Sequence, residues 1–390
     1  MSAIIAGYAR TPYCKINGPL ASLSAIELGA IAARQALSNS GIAAAAVDQV
    51  VGGHVIQTGC GQNPARQTAV AAGVPNSVPA ITLNAVCLSG ADAVIQAVRL
   101  IELGEANVVL VVGQESMSQS PHAQLGSRQG KKYGAITLID TLEIDGLTDA
   151  FSGESMGLAT EKVTAEMGIS REAQDRLAVD SHLRAAASRA WVAQEIAPVT
   201  IAGRGGELVI QEDDGIRADI SMESVGKLRP AFTKDGTITA ANSSPLTDGA
   251  AALVIVSETY AAANKVAGLG KIVGHARVAG PDYSLNLQPS NAIFAALKKA
   301  GKSVADLNQV EINEAFAAVG VASTQALGIA PDRVNIDGGA IAIGHPIGSS
   351  GARIVGHLAR NLQREGAGAL GAIGICGGGG QGVAVLVEAI

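Results

Sequence analysis

Four cysteines in 390 residues, Cys14, Cys60, Cys87 and Cys376, are too few and too scattered for a disulfide framework. None stands in a Cys-x-x-Cys pair or a Cys/His cluster of zinc spacing. Reduced thiols in a cytoplasmic setting are the expectation, with no metal site. A basic excess is also missing: the net charge of −6 excludes a general nucleic-acid binder and leaves room only for a local anion site. No run of about 18 apolar residues occurs, and the opening MSAIIAGYARTP lacks a basic region followed by an apolar stretch, so neither membrane insertion nor secretion is expected. What the chain has in abundance is glycine, 48 residues, which implies tight turns and close backbone approaches. The length exceeds one ordinary core and predicts two or three domains.

The sequence repeats itself. Residues 36–53 align with 296–313, matching Ala36, Leu37, Gly41, Gln49 and Val50 to Ala296, Leu297, Gly301, Gln309 and Val310. One residue away in offset, 89–113 aligns with 350–374, and both stretches open Ser-Gly-Ala. Each copy reads as helix, strand, glycine-ended loop, longer helix and second strand, which predicts layered sheets carrying helices. Ala91, Val94, Val98 and Ile101 recur at helical spacing. Val108–Val112 is an uninterrupted apolar run of the kind found in a strand buried on both faces. Between the copies the pattern changes to capped helices, one starting at Ser170, and Gly/Asp/Pro-rich loops. There Arg217, Lys227, Arg229 and Lys234 outnumber Asp219 and Glu223, a local excess suited to a phosphorylated ligand.

Several residues can carry chemistry. Cys87, in NAVCLSG, precedes a helix expected from Ser89, where the dipole lowers a thiol pKa; a buried packing cysteine is the other reading. His345, in GGAIAIGHPIGSSGAR, can take the cysteine proton and later donate to a thioester oxygen, or serve structure alone. Cys376 opens CGGGGQG, whose backbone N–H groups can form an oxyanion hole; a phosphate loop or a hairpin is the alternative. Asn313 and Glu314, between a strand and a helix, fit an N-terminal cap as well as catalysis.

Taken together and in order, NAVCLSG, Asn313-Glu314-Ala315-Phe316, GGAIAIGHPIGSSGAR and CGGGGQG resemble the thiolase family over essentially the whole chain. Arg10-Thr11-Pro12, GQNPARQ (61–67), DGLTDAF (145–151), LRPAF (228–232) and NSSPLTDGAAA (242–252) extend the likeness. The resemblance implies an α/β fold, the five-layered αβαβα thiolase architecture of two duplicated halves. Residues 1–117 with 248–268 would form the first half, 118–247 an inserted loop domain that binds CoA, and 269–390 the second half. It further implies that Cys87 is the acylated nucleophile, that His345 activates it, and that Cys376 exchanges the proton at the substrate α-carbon. Asn313 would hold a water that, with His345, stabilises one oxyanion, and the N–H groups of Cys87 and Gly378 would stabilise the other. Leu147, Arg217, Ser224 and Ser244 would contact CoA, and Met156, Phe232 and Phe316 would line the acyl pocket.

The implied activity is acetyl-CoA C-acetyltransferase, without metal or redox cofactor, in a homodimer or homotetramer. Departures from the family pattern bear on the subclass. Ser155 stands where biosynthetic members have histidine, and DGIR (214–217) and NSS (242–244) look like degradative 3-ketoacyl-CoA thiolases, whereas IDTLEIDGLTDAF (139–151) resembles the biosynthetic loop. Short-chain acetyl transfer is the expectation, with the degradative enzyme as the alternative. Related ketosynthases pair their cysteine with two histidines, unlike the Asn313, His345 and Cys376 set found here. A non-catalytic acyl-CoA-binding protein would not need every polar group of turnover.

Overall fold

The computed structural model describes residues 2–203 and 206–390. In chain order the main elements begin with β1 (Ala3–Arg10), α1 (Ala25–Ser40), β2 (Gln49–Gly53), α2 (Pro64–Ala71), β3 (Ala80–Leu83), α3 (Ser89–Glu102) and β4 (Val108–Glu115). Next come α4 (Met156–Glu166), α5 (Arg171–Ala187) and the long strand β5 (Thr247–Ser257). The chain ends with β6 (Gly270–Ala279), α6 (Gln288–Ala300), β7 (Gln309–Ile312), α7 (Ala317–Leu327), α8 (Ser350–Glu365), β8 (Leu370–Gly377) and β9 (Gln381–Glu388). Helix starts are written in the sequence: Ser24 and Glu27 form a reciprocal capping box on α1, and Ser170 caps α5 by accepting from the Ala173 N–H.

The strands run in the order β7-β8-β9-β6-β1-β5-β4-β2-β3. In the first half, β2 lies parallel to β4, β4 antiparallel to β5, and β5 antiparallel to β1. The second half repeats this pattern with β7, β8, β9 and β6. A short pairing of Ala3–Ile5 with Gly270–Ile272 joins the two half-sheets. Both sequence pairings therefore fall on equivalent elements, α1–β2 with α6–β7 and α3–β4 with α8–β8.

Alternation along β4 and β5 sorts the core into layers. Val108, Leu110, Val112, Ala250, Ala252 and Val254 face α1 and α2 on the outside. Val109, Val111, Ala251, Leu253 and Ile255 face α3 and α8, which also cover Ile373, Ile375, Val383 and Val385 of the other half-sheet. A third cluster packs α6 on the far face of the second half. The result is the expected αβαβα stack, and the run Val108–Val112 is buried on both faces as its composition predicts. The repeated Ser-Gly-Ala has a steric cause. A Cβ on Gly90 would lie 2.7 Å from Ala352 N, and one on Gly351 would lie 2.3 Å from Ala91 N, so the two central helices meet backbone to backbone.

A buried ionic cluster ties the intervening segment to both halves. Arg10 of β1 makes a two-pronged contact with Asp213 at 2.7 and 2.8 Å and reaches Glu195 at 2.8 Å. Glu195 in turn meets His357 of α8 at 3.0 Å. Among the described residues no helix is long and apolar enough to cross a membrane.

Candidate active site

Cys87 sits at the end of a strained turn. Val86 adopts φ +53°, a left-handed conformation that costs a β-branched residue roughly 1–3 kcal/mol and persists only when neighbours enforce it. The enforcement is visible: Asn84 Oδ1 accepts from the Val86 N–H at 3.0 Å, while Ser89 Oγ accepts from the Ala85 N–H at 2.9 Å and donates to the Val86 carbonyl at 2.6 Å. Helix α3 begins at Ser89, as the sequence predicts, so Cys87 stands at its positive end.

The expected lowering of the Cys87 pKa does not follow. Burial pushes the thiol up to about 12, against a downward pull from its own N–H and that of Gly378, with Glu115 adding to the rise. Cys376, on β8 just before the glycine hairpin, is fully buried, and burial likewise raises its pKa, reinforced by Cys87.

His345 is also buried, and burial followed by the charge of Arg353 pushes its imidazole down to about 3. The neutral ring is held from three sides. Its backbone N–H donates to Thr247 Oγ1 at 3.1 Å, its Nδ1 meets Ser350 Oγ at 2.6 Å, and its Nε2 faces Asn313 Nδ2 at 3.4 Å. Asn313 and Glu314 are not helix caps: α7 starts at Ala317 with Phe316 at the cap position. Instead, the buried Glu314 carboxylate accepts from Ser181 Oγ, Asn335 Nδ2 and the Ile341 N–H at 2.7, 2.7 and 3.1 Å, pinning the loop that leads to His345.

One cavity of about 420 Å³ brings these groups together. Cys87, His345, Cys376 and Gly378 line it, with Leu147, Met156, Phe232, Ser244 and Phe316 among its walls. Phe232 and Phe316 meet edge to face with centroids 6.1 Å apart, giving the wall an aromatic corner. Ser244 is fixed by donating from both N–H and Oγ to the Ala315 carbonyl, at 3.1 and 3.0 Å. Asn313, Arg217 and Ser224 lie outside this lining, Asn313 standing next to it against His345. Arg217 is exposed and packs its guanidinium on His182 at 3.2 Å, and exposed Ser224 closes a reciprocal cap with Ser221.

Sequence reasoning passed over Thr247, Ser350, Asn84 and Ser89, all of which hold a candidate side chain or its loop. Their signal was present as hydroxyls and an amide inside the same short motifs, but nothing local distinguishes them from ordinary turn residues. Two sulfurs beside a neutral imidazole, with backbone N–H groups directed at one sulfur, can form and break a thioester by nucleophilic catalysis.

The whole chain has counterparts. Residues 3–259 match the family described as "Thiolase, N-terminal domain" and residues 266–389 match "Thiolase, C-terminal domain". A probable acetyl-CoA acetyltransferase of Mycolicibacterium smegmatis is 49% identical, over 99% of this chain and 100% of its own length. The crystal structure of human mitochondrial 3-ketoacyl-CoA thiolase superposes with a TM-score of 0.96 at 37% identity, covering 100% of this chain and 99% of that one. The acetyl-CoA acetyltransferase of Bacillus anthracis gives 0.95 at 36% identity with the same coverage. With both halves matched, the site motifs in order and the five-layered fold in place, this chain belongs to the thiolase family.

Proposed function

We propose that the protein is an acetyl-CoA C-acetyltransferase that joins two acetyl-CoA molecules into acetoacetyl-CoA and CoA, and runs the reverse thiolysis, through an acyl-Cys87 intermediate. The observation that carries this reading is the convergence of Cys87, His345 and Cys376 on one cavity from three distant stretches of chain. Full-length similarity to an acetyl-CoA acetyltransferase supports the short acyl group.

In the forward direction the Cys87 proton passes to His345 as the sulfur attacks the first thioester carbonyl. The C–S bond to CoA breaks, and the departing sulfur takes the Cys376 proton. The Cys376 thiolate then removes a proton from the α-carbon of the second acetyl-CoA. The resulting enolate attacks acyl-Cys87, expelling the Cys87 sulfur, which regains its proton from His345. Separate sulfurs are needed because the acylated one can no longer act as a base. The N–H groups of Cys87 and Gly378 stabilise the oxyanion on the acylated sulfur's carbonyl, and Asn313 and His345 serve the other thioester oxygen.

A longer-chain 3-ketoacyl-CoA thiolase is the second reading. It is favoured by Ser155, which lines the cavity where biosynthetic members resemble one another in having histidine, and by the apolar walls of Leu147, Met156, Leu285 and Ile347. A thiolysis rate series from acetoacetyl-CoA to long 3-ketoacyl-CoA separates the two: rates falling with chain length support acetyl transfer, and equal rates at long chains overturn it. Cys87→Ser is expected to abolish acyl-enzyme, and acyl label persisting in that variant removes Cys87 from its role.

A further inference from the structure

The imidazole of His345 has two nitrogens with different neighbours. Nδ1 lies 2.6 Å from Ser350 Oγ, in the first turn of α8, and both side chains are buried. Ser350 Oγ in turn lies 3.1 Å from the Pro346 carbonyl oxygen, four residues back, which can only accept. Nε2 faces Asn313 Nδ2 at 3.4 Å, and His345 lines the catalytic cavity.

A hydroxyl has a single proton. If Ser350 donates it to the Pro346 carbonyl, its oxygen is free to accept from Nδ1–H, and the bare Nε2 can accept from the Asn313 amide. The Nδ1 hydrogen, the Ser350 hydroxyl hydrogen and one Asn313 amide hydrogen then each have an acceptor. In the opposite tautomer, Nε2–H and Nδ2–H are two donors facing each other, and no proton at Nε2 can be exchanged for that of a thiol. We infer that Ser350 is a positioning residue, fixing His345 as the Nδ1–H tautomer so that Nε2 is the free base directed into the cavity. This rests on the proposed role of His345 as the base for Cys87.

The arrangement also explains the five-residue step from His345 to Ser350. Pro346 cannot extend a helix through its missing N–H, but its carbonyl accepts from the Ser349 and Ser350 N–H groups at 2.9 and 3.0 Å. That closes the turn between imidazole and hydroxyl and leaves little freedom for either. The histidine is thereby oriented by a neutral oxygen, which favours one tautomer without placing a carboxylate beside the ring.

The test begins with the unaltered protein. Long-range proton–nitrogen correlation on enzyme labelled with nitrogen-15 histidine reports which ring nitrogen carries hydrogen, and His345→Gln assigns the signal by its loss. A protonated Nδ1 with a bare Nε2 is expected; a protonated Nε2 overturns the inference. In a folded Ser350→Ala enzyme the signal is expected to become a tautomer mixture, with kcat for thiolysis down by roughly 10-fold, short of the ~10²–10⁴-fold of a lost general base, and KM for CoA unchanged. Ser350→Thr, which keeps the oxygen, is expected to restore the single tautomer. An Ala variant with the wild-type tautomer and wild-type kcat overturns the assignment. Full thiolysis by His345→Ala would instead defeat the proposed role of His345, whichever tautomer is seen.

Discussion

The Asn313 amide nitrogen faces His345 Nε2 at 3.4 Å, while its Oδ1 is buried with no hydrogen-bond partner. A buried acceptor left open costs free energy, so an ordered donor at this position during turnover is the natural complement. Asn313→Ala is expected to lower kcat by on the order of 100-fold, the usual loss of one oxyanion-stabilising group, with little change in KM. Steady-state thiolysis of acetoacetyl-CoA measures both constants, and an unchanged kcat removes Asn313 from the reaction.

The Cys87 thiol at about 12 and the His345 imidazole at about 3 make the resting couple neutral rather than a thiolate–imidazolium pair. Alkylation of Cys87 by iodoacetamide, followed by peptide mass analysis, is expected to accelerate about tenfold per pH unit across the neutral and mildly alkaline range. An ion pair would instead give a rate plateau. A flat profile between roughly pH 5 and 9 therefore overturns the neutral couple.

The layered fold was readable because duplication and periodicity are local and repeated. Val108–Val112 and the two Ser-Gly-Ala helices could be placed with no knowledge of their partners. The cavity was readable only through motif resemblance, since nothing within NAVCLSG says that Cys87 will meet Gly378, or within EINEAF that Asn313 will face His345. The dipole argument for Cys87 left out burial, which depends on the other half of the molecule. Arg217 and Ser224, marked as CoA contacts by the resemblance alone, lie on the exposed surface outside the cavity lining. Glu314 looked like a cap because its neighbours 21 and 27 residues on, Asn335 and Ile341, are invisible to local spacing.

A Cβ on Gly339 would stand 2.2 Å from the Glu314 carboxyl carbon and 2.4 Å from its oxygens. Gly339→Ala is expected to displace that carboxylate from the Ile341 N–H and loosen the approach to His345. A cost of about 1–3 kcal/mol is expected from the shift of the urea midpoint, the range for forcing one extra methyl group into a packed site. Combining it with Glu314→Ala should cost less than the two single changes summed, because both act on one contact. Additive costs would show that Gly339 is required for another reason.

The ionic cluster around His357 sets a pH window for stability. His357 lies 3.0 Å from Glu195 and 3.4 Å from Asp337; despite burial, which opposes charging, these carboxylates raise its pKa from 6.5 to about 9. A raised histidine pKa gives stability that is fully present below 6.5 and is lost as pH climbs through about 9, amounting to ~3 kcal/mol at ~1.4 kcal/mol per unit. The carboxylates run the other way. Glu195 is held well below the usual range by His357 and Arg10, and Asp337 is lowered to about 2 chiefly by His357, so their contribution is present above their unfolded values and fades in acid. His345, lowered to about 3, adds to the acid loss, because below 6.5 the unfolded chain binds a proton that the folded ring refuses. Urea midpoints measured across pH should therefore peak near pH 6.5 and decline toward both acid and pH 9. In His357→Gln the alkaline decline should flatten while the acid decline remains. An alkaline decline of wild-type size in that variant would show that His357 does not hold its proton in the folded protein.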